Sequence, residues 1–373
     1  MPFPVHGHAD PKFARLKDAF TSTFADGLEK GAGVAVMVDG KLVADLWGGA
    51  ANAAGTKPWR EDTLVNVWSV TKGVVALAVA MLVERGKLQY DAPIAKHWPE
   101  FAANGKERVS LDQTLSHTAG LHGLTVPMDR AGLCAWTPYV NALAVMAPIY
   151  EPGTRHVYHA LTYGHLAGEP LRRADGRSIG RFISEEIAGP LGVPFFVGLP
   201  ESEDHRAAEM IEGAQAADWV TEVSKSPFPQ ASANPAPVAT DPNLRAFRAA
   251  EIPGGNGQAT AGALATIYGG LANGKSPLLS KQGLAAATRI RFDGMDESFN
   301  LPAKFGAGFR IDDPDFGGRG APGTFGHAGW GGSITFGDTD AKVGFAFVTS
   351  HMLGFDTFDP RRKRLVDAVY DAL

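Results

Sequence analysis

Ser69 and Lys72 stand three residues apart in WSVTKG, residues 68–73. A serine hydroxyl is a weak nucleophile until a neighbouring base takes its proton. A lysine can be that base when burial depresses its ammonium pKa. Three positions along a helix put two side chains on one face, so the pair can meet. The apolar run VVALAVAMLV, residues 74–83, implies a buried helix that would desolvate Lys72. A serine at a helix N-terminus also has its own N–H and the positive dipole end to steady a developing oxyanion. Acyl transfer is the chemistry such a pair supports. The same stretch also reads as an N-capping serine followed by a lysine that snorkels to solvent, and the segment alone leaves both readings open. A chain this long supplies about one Ser-x-x-Lys by chance, so position carries the argument.

The elements around the pair are legible in outline. Phe13, Leu16, Phe20 and Phe24 lie at helical spacing within residues 13–28. GVAVMVDGKLVADLWGG, residues 33–49, reads as a β-hairpin turning at Asp39-Gly40. Residues 53–62 form a polar loop. A helix runs from Thr71 through Val83, with Gly86 as its C-cap. Short helices follow over residues 111–115, 139–147, 160–174 and 178–188. Residues 224–257 are rich in Pro, Ser, Ala and Asn and end in IPGGNGQ. A loop of that length is either functional or a surface excursion. KFGAGFRI, SITFGD and KVGFAFVTS are strands, and residues 359–373 form a closing helix.

Strands at both ends with helices between give an α/β (α+β) fold. One antiparallel sheet joins both chain ends, flanked by helices, with a mainly helical lobe inserted. The expected boundaries are 1–68 and 290–373 for the sheet lobe and 69–289 for the helical lobe, with the site between them.

Composition narrows the function classes. The 373 residues are 45% hydrophobic and 20% charged, enough for a sizeable core. A net charge of −5 with no dense basic stretch argues against nucleic acid or an anionic membrane as partner. Cys134 is the only cysteine, so no intrachain disulfide can form, which fits a reducing compartment. The N-terminal stretch lacks a basic segment followed by an apolar one, so no secretory signal is expected. The run 74–83 is too short to span a bilayer. These features predict a soluble, cytoplasmic protein. Nothing in the sequence sets an oligomeric state.

Two motif matches fail on context. GGLANGKS, residues 269–276, fits the phosphate-loop pattern, but that loop needs a strand before it and a helix after it. Here a helix precedes, Gly274 caps it and Pro277 follows. GRSIG, residues 176–180, fits the nucleophile elbow, which also needs a preceding strand. A helix precedes it, and Ser178 is placed to N-cap the next one. His6 and His8 are expected in an unstructured terminus. His156, His159 and His165 cluster without a metal-binding motif, so no metal site is expected.

Three motifs in order make the chain resemble the serine β-lactamase-like hydrolases. These are the class C β-lactamases, the penicillin-binding protein-like D-alanyl-D-alanine peptidases and the family VIII carboxylesterases. The motifs are SVTK at 69–72, VYHALTYGHLAGE at 157–169 and FGHAGWGGS at 325–333. LSHTAGL at 115–121 and the early hairpin add to a likeness that spans nearly the whole chain. The resemblance implies that Ser69 is the nucleophile of an acyl-enzyme and that Lys72 and Tyr158 share acid–base work, in an order left open. A phenol near two cations has a lowered pKa, which would let Tyr158 act as phenolate. The backbone N–H groups of Ser69 and Trp330 would form the oxyanion hole. His327, Ala328 and Gly329, with Trp68 and His159, would line the substrate pocket, His327 bonding Tyr158 or substrate. No cofactor is implied.

The sequence departs from the class C pattern at two places. Tyr158-His159-Ala160 stands where Tyr-x-Asn is usual, and His327-Ala328-Gly329 where Lys-Thr-Gly is usual. Groups that grip a β-lactam amide and carboxylate are thereby absent. The pattern is most like that of family VIII carboxylesterases, and implies hydrolysis of short-chain, small-molecule esters. A β-lactamase or D-amino-acid peptidase is the alternative. A catalytically silent binding protein on the same fold is the third reading.

Overall fold

The computed structural model describes residues 4–213, 229, 234–316, 322–354 and 359–373. Residues 224–228 and 230–233 of the Pro-rich loop lie outside the described residues. One nine-stranded sheet organises the molecule. Its strands are β1 (Val5–Ala9), β2 (Gly31–Val38), β3 (Lys41–Gly49), β4 (Phe292–Asp296), β5 (Leu301–Phe305), β6 (Arg310–Ile311), β7 (Thr324–Ala328), β8 (Ile334–Asp338) and β9 (Val343–Thr349). The order is β1-β3-β2-β9-β8-β7-β6-β5-β4, antiparallel at every pairing. The two chain ends meet at β2 and β9, where Ala35 lies opposite Ala346. Asp39 and Gly40 turn the β2–β3 hairpin with φ of 45° and 85°, the positive pair that suits a two-residue hairpin.

One expectation fails at the N-terminus. His6 and His8 belong to edge strand β1, opposite Trp47 and Asp45 of β3. The strand is held by its backbone ladder while its central side chains stay exposed, so it leaves no alternating apolar signal.

Five helices bear on the site: α1 (Ala14–Ala25), α2 (Thr71–Glu84), α3 (Thr162–Asp175), α4 (Ala261–Ala272) and α5 (Pro360–Tyr370). α1 and α5 cover one face of the sheet, burying Leu16, Phe20, Val36, Phe345 and Leu365 together. α4 covers the other face. A Cβ on Gly344 of β9 would stand 2.3 Å from the Gly269 nitrogen, so glycine is what lets helix and sheet close up. α4 therefore belongs with the sheet, although the expected boundary at 289 assigns it to the helical lobe. The reason is its apolar surface on nearly every side, which needs cover from the sheet and from the helices alike. α2 is buried from Thr71 to Leu82 and lies at the centre of a continuous core that reaches from Ala35 to Phe182.

Both discarded motifs take the shapes their contexts require. Gly274, with φ of 67°, ends the chain's run through α4, so GKS follows a helix instead of opening one. Ser178 N-caps Ile179–Ile183, accepting the Arg181 N–H at 3.3 Å.

Candidate active site

Ser69 lies in a 3-10 turn, Trp68–Val70, that feeds into α2 at Thr71. Trp68 has φ of 47°, a left-handed conformation that costs a non-glycine residue about 1–2 kcal/mol. The neighbours hold it there. Trp68 N–H donates to Asn66 Oδ1 at 3.0 Å. Thr71 Oγ1 donates to the Trp68 carbonyl and accepts the Gly257 N–H at 2.9 Å. The Trp68 ring packs against Trp330 and Phe247 at 4.8 and 6.1 Å.

One turn of helix brings Lys72 Nζ to 3.0 Å from Ser69 Oγ. The side chain is fully buried, and burial drives its pKa well below the usual lysine value. Nζ donates to the carbonyls of Ala160 at 2.7 Å and Gly254 at 2.6 Å. A neutral amine has two hydrogens and one lone pair. Nζ donates to Ser69 Oγ as well as to the two carbonyls, so loss of the proton facing Ser69 leaves a lone pair aimed at its hydroxyl.

Tyr158 completes the group just before α3. Its hydroxyl hydrogen-bonds Ser69, and its ring lies 4.9 Å from Lys72 Nζ. Burial pushes the phenol pKa up, opposite to the lowered value expected from neighbouring cations. The cause is desolvation, which outweighs the Ser69 hydrogen bond and the Arg310 charge that both pull the other way. Burial thus favours the neutral form of both side chains, phenol for Tyr158 and amine for Lys72.

His117 of the LSHTAGL stretch lies against the Tyr158 ring at 4.6 Å. Its Nδ1 accepts the His159 N–H at 2.9 Å, which fixes the backbone next to Tyr158. His159 does not line the cavity as expected. It is fully buried, donating from Nδ1 to the Val157 carbonyl at 2.7 Å and accepting the Leu121 N–H at Nε2 at 3.2 Å. Both ring nitrogens are engaged in joining two loops behind the site. Trp68 also stays out of the lining, because the left-handed turn sends its ring beneath Trp330.

The third motif forms the opposite wall. Gly329 follows β7 and lies against the turn that carries Ser69, where a Cβ would stand 2.3 Å from the Val67 carbonyl oxygen. Ser69, His327, Ala328, Gly329 and Trp330 all line one cavity. His327 is buried, with its pKa well below the ordinary value through desolvation, and its Nδ1 donates to the Ala328 carbonyl at 2.7 Å. Its ring centre lies 6.2 Å from that of Tyr158.

Two arginines from the first turn of α5 hold this wall. Arg361 Nη2 donates to the Gly331 carbonyl at 2.7 Å. Arg362 donates to Gly332 at 2.8 Å and Gly329 at 3.0 Å. Arg361 is fully buried and balanced by Glu29 at 2.9 Å and Asp359 at 2.8 Å. The sequence reading missed both arginines, because RRKR in a terminal helix looks like a solvated face. It also missed the lysine's two acceptors, which are backbone atoms and carry no residue-type signal.

The cavity holds about 150 Å³. Phe299, Leu301, Pro302, Ala303 and Phe305, from the β4–β5 hairpin, make it largely apolar. Its cations are paired: Arg310 with Asp313 and Asp315, and Arg362 with Asp315 at 3.3 Å. Among the described residues, no group of three or more His, Cys, Asp or Glu is placed to hold a metal ion. Nor, among them, is any helix long and apolar enough to cross a membrane.

A sheet built from both chain ends, a buried Ser-x-x-Lys and a tyrosine at hydrogen-bonding reach define a hydrolase of the esterase/β-lactamase fold. The beta-lactamase family model matches residues 20–369, and the chain belongs to that family. It is 35% identical over 364 residues to the esterase/beta-lactamase LipL of Mycobacterium tuberculosis, covering 94% of this chain and 83% of that protein. The crystal structure of a family VIII carboxylesterase superposes with a TM-score of 0.92 at 39% identity, over 99% of this chain and 100% of the other. A penicillin-binding protein homolog from Caulobacter crescentus gives a TM-score of 0.90 at 38% identity over the same shares. These relatives make the chain a serine hydrolase.

Proposed function

We propose that the chain is a serine carboxylesterase that cleaves short-chain esters of small molecules through a Ser69 acyl-enzyme. The observation that carries this reading is the buried Lys72, its pKa depressed by desolvation and its Nζ 3.0 Å from Ser69 Oγ, with two carbonyls accepting from it. Lys72 takes the Ser69 proton as Oγ attacks the ester carbonyl carbon. The N–H groups of Ser69 and Trp330 receive the oxyanion. Collapse breaks the ester C–O bond, and Tyr158 gives its proton to the departing alkoxide. The Lys72 ammonium returns a proton to Tyr158, and a water then cleaves the acyl-enzyme by the same steps in reverse roles.

The apolar wall supports an acyl chain of a few carbons. Paired cations and a neutral His327 leave no unpaired positive charge among the described lining residues for a β-lactam carboxylate. Lys72 also occupies the Ala160 carbonyl, and no side-chain amide stands at that position. Acylation is shared with β-lactamases, so slow cephalosporin turnover is compatible with this site. One preparation assayed on p-nitrophenyl butyrate and on a chromogenic cephalosporin tests the reading. The ester should win in kcat/KM by about two orders of magnitude, the worth of one or two missing charged contacts. Equal or faster cephalosporin hydrolysis would reverse the assignment.

A further inference from the structure

GRSIG does no chemistry as an elbow, yet each of its key positions makes a specific contact. Ser178 Oγ donates to Glu251 Oε1 at 2.6 Å, and Gly180 N–H donates to Glu251 Oε2 at 3.0 Å. A Cβ on Gly180 would stand 2.1 Å from the Val197 carbonyl oxygen and 2.8 Å from Glu251 Oε1. Glycine at 180 is therefore what admits the carboxylate.

Glu251 opens the turn that supplies an acceptor to Lys72. Asn256 closes it, accepting the Ile252 N–H at 3.0 Å and donating to the Phe247 and Ala250 carbonyls at 2.8 and 2.6 Å. Gly254 is confined from the other side, since a Cβ on Gly164 of α3 would stand 2.1 Å from its nitrogen. The Gly254 carbonyl then meets Lys72 Nζ at 2.6 Å. Only Ile252 and Pro253 separate the anchored carboxylate from that carbonyl, so a shift at residue 251 reaches it directly.

We infer that Ser178 and Glu251 are positioning residues for Lys72, with the GRSIG motif acting as the anchor of the Gly254 carbonyl. The inference rests on the reading of Lys72 as the base of Ser69. A carbonyl contact favours ammonium over amine, so loosening it lowers the pH at which Lys72 becomes protonated. It also frees the amine to rotate away from Ser69. The groups facing Nζ are Ser69, Tyr158, Tyr163 with its ring at 5.7 Å, His117, His159 and His327. None of these is altered by the substitutions below.

The test compares Ser178→Ala, Ser178→Thr and Glu251→Gln in the full chain, with kcat and KM on p-nitrophenyl butyrate taken across pH. Ser178→Ala should lower kcat about tenfold with KM nearly unchanged, the signature of a misplaced base. The acid limb of kcat/KM should move to lower pH, and Ser178→Thr should restore both. Glu251→Gln should behave as Ser178→Ala does, and it covers the case in which the alanine variant does not fold. If both variants melt earlier but keep the parent's kcat and acid limb, Ser178 is a helix cap only and the inference fails. Mass spectrometry of the parent after fluorophosphonate treatment separates the underlying reading: an adduct on Ser178 would overturn the Ser69 assignment itself, whatever the kinetics.

Discussion

Lys72 and Tyr158 show how burial sets the direction of proton traffic at the residue scale. Both are desolvated, and desolvation disfavours the charged form of each: ammonium for lysine, phenolate for tyrosine. In the proposed reaction this favours a free base and a loaded acid. Lys72 works only when unprotonated, and its pKa is depressed. Activity is thus full above that depressed pKa and falls as pH drops through it. The kcat/KM profile on an ester should show one acid limb, well below the ordinary lysine range. Lys72→Arg should lose about three orders of magnitude at every accessible pH, because a guanidinium does not give up its proton. The meeting of Ser69 and Lys72 was legible from their three-residue spacing, and the place of Tyr158 beside them from the order of the motifs. The direction of the Tyr158 pKa was not, because it follows from burial that spacing does not reveal. The same holds for His159, whose nitrogens are consumed by backbone groups that spacing cannot reveal.

At the scale of elements, the wall opposite Ser69 depends on a helix more than thirty residues further along the chain. The strands β8 and β9 were readable from their apolar runs and glycine turns, whereas β7 was not singled out as a strand. What could not be read was that α5 aims Arg361 and Arg362 inward at the Gly329, Gly331 and Gly332 carbonyls. A helix with four basic residues in a row looks solvated until its packing against the sheet is known. Replacing Arg361 by alanine strands Glu29 and Asp359 as buried carboxylates and releases the turn. Destabilisation should reach about 3–5 kcal/mol in chemical denaturation, far above the cost of an exposed arginine. Ester turnover measured at a temperature where the variant stays folded should fall as well, since Trp330 sits in the released turn. Edge strand β1 escaped the reading for a different reason: its stability comes from backbone pairing, which has no residue-type signature.

For the whole molecule, strands at both chain ends and helices between them were enough to specify a sheet closed by its termini. The division at residue 289 was less faithful. α4 is apolar on nearly all sides and joins the sheet to the helices, and α2 runs through the centre of one continuous core. Two lobes that share a core in this way should unfold together. Thermal melts followed by far- and near-ultraviolet circular dichroism should therefore coincide. Two separated transitions would mean that the sheet and the helices hold independently. The shared core also has a functional consequence. Ser69 and Lys72 come from α2 and its leading turn, Gly254 from the loop before α4, and Trp330 from the end of the sheet. Their spacing is kept only if these parts behave as one body.

The central claim is that Ser69 carries the acyl group, and one measurement addresses it directly. The protein is treated with a short-chain fluorophosphonate, digested and mapped by mass spectrometry, alongside Ser69→Ala. A single adduct on the peptide containing Ser69, absent from the variant together with ester hydrolysis, is the expected result. An adduct on any other serine, or a variant that hydrolyses butyrate ester at the parent's rate, would contradict the account.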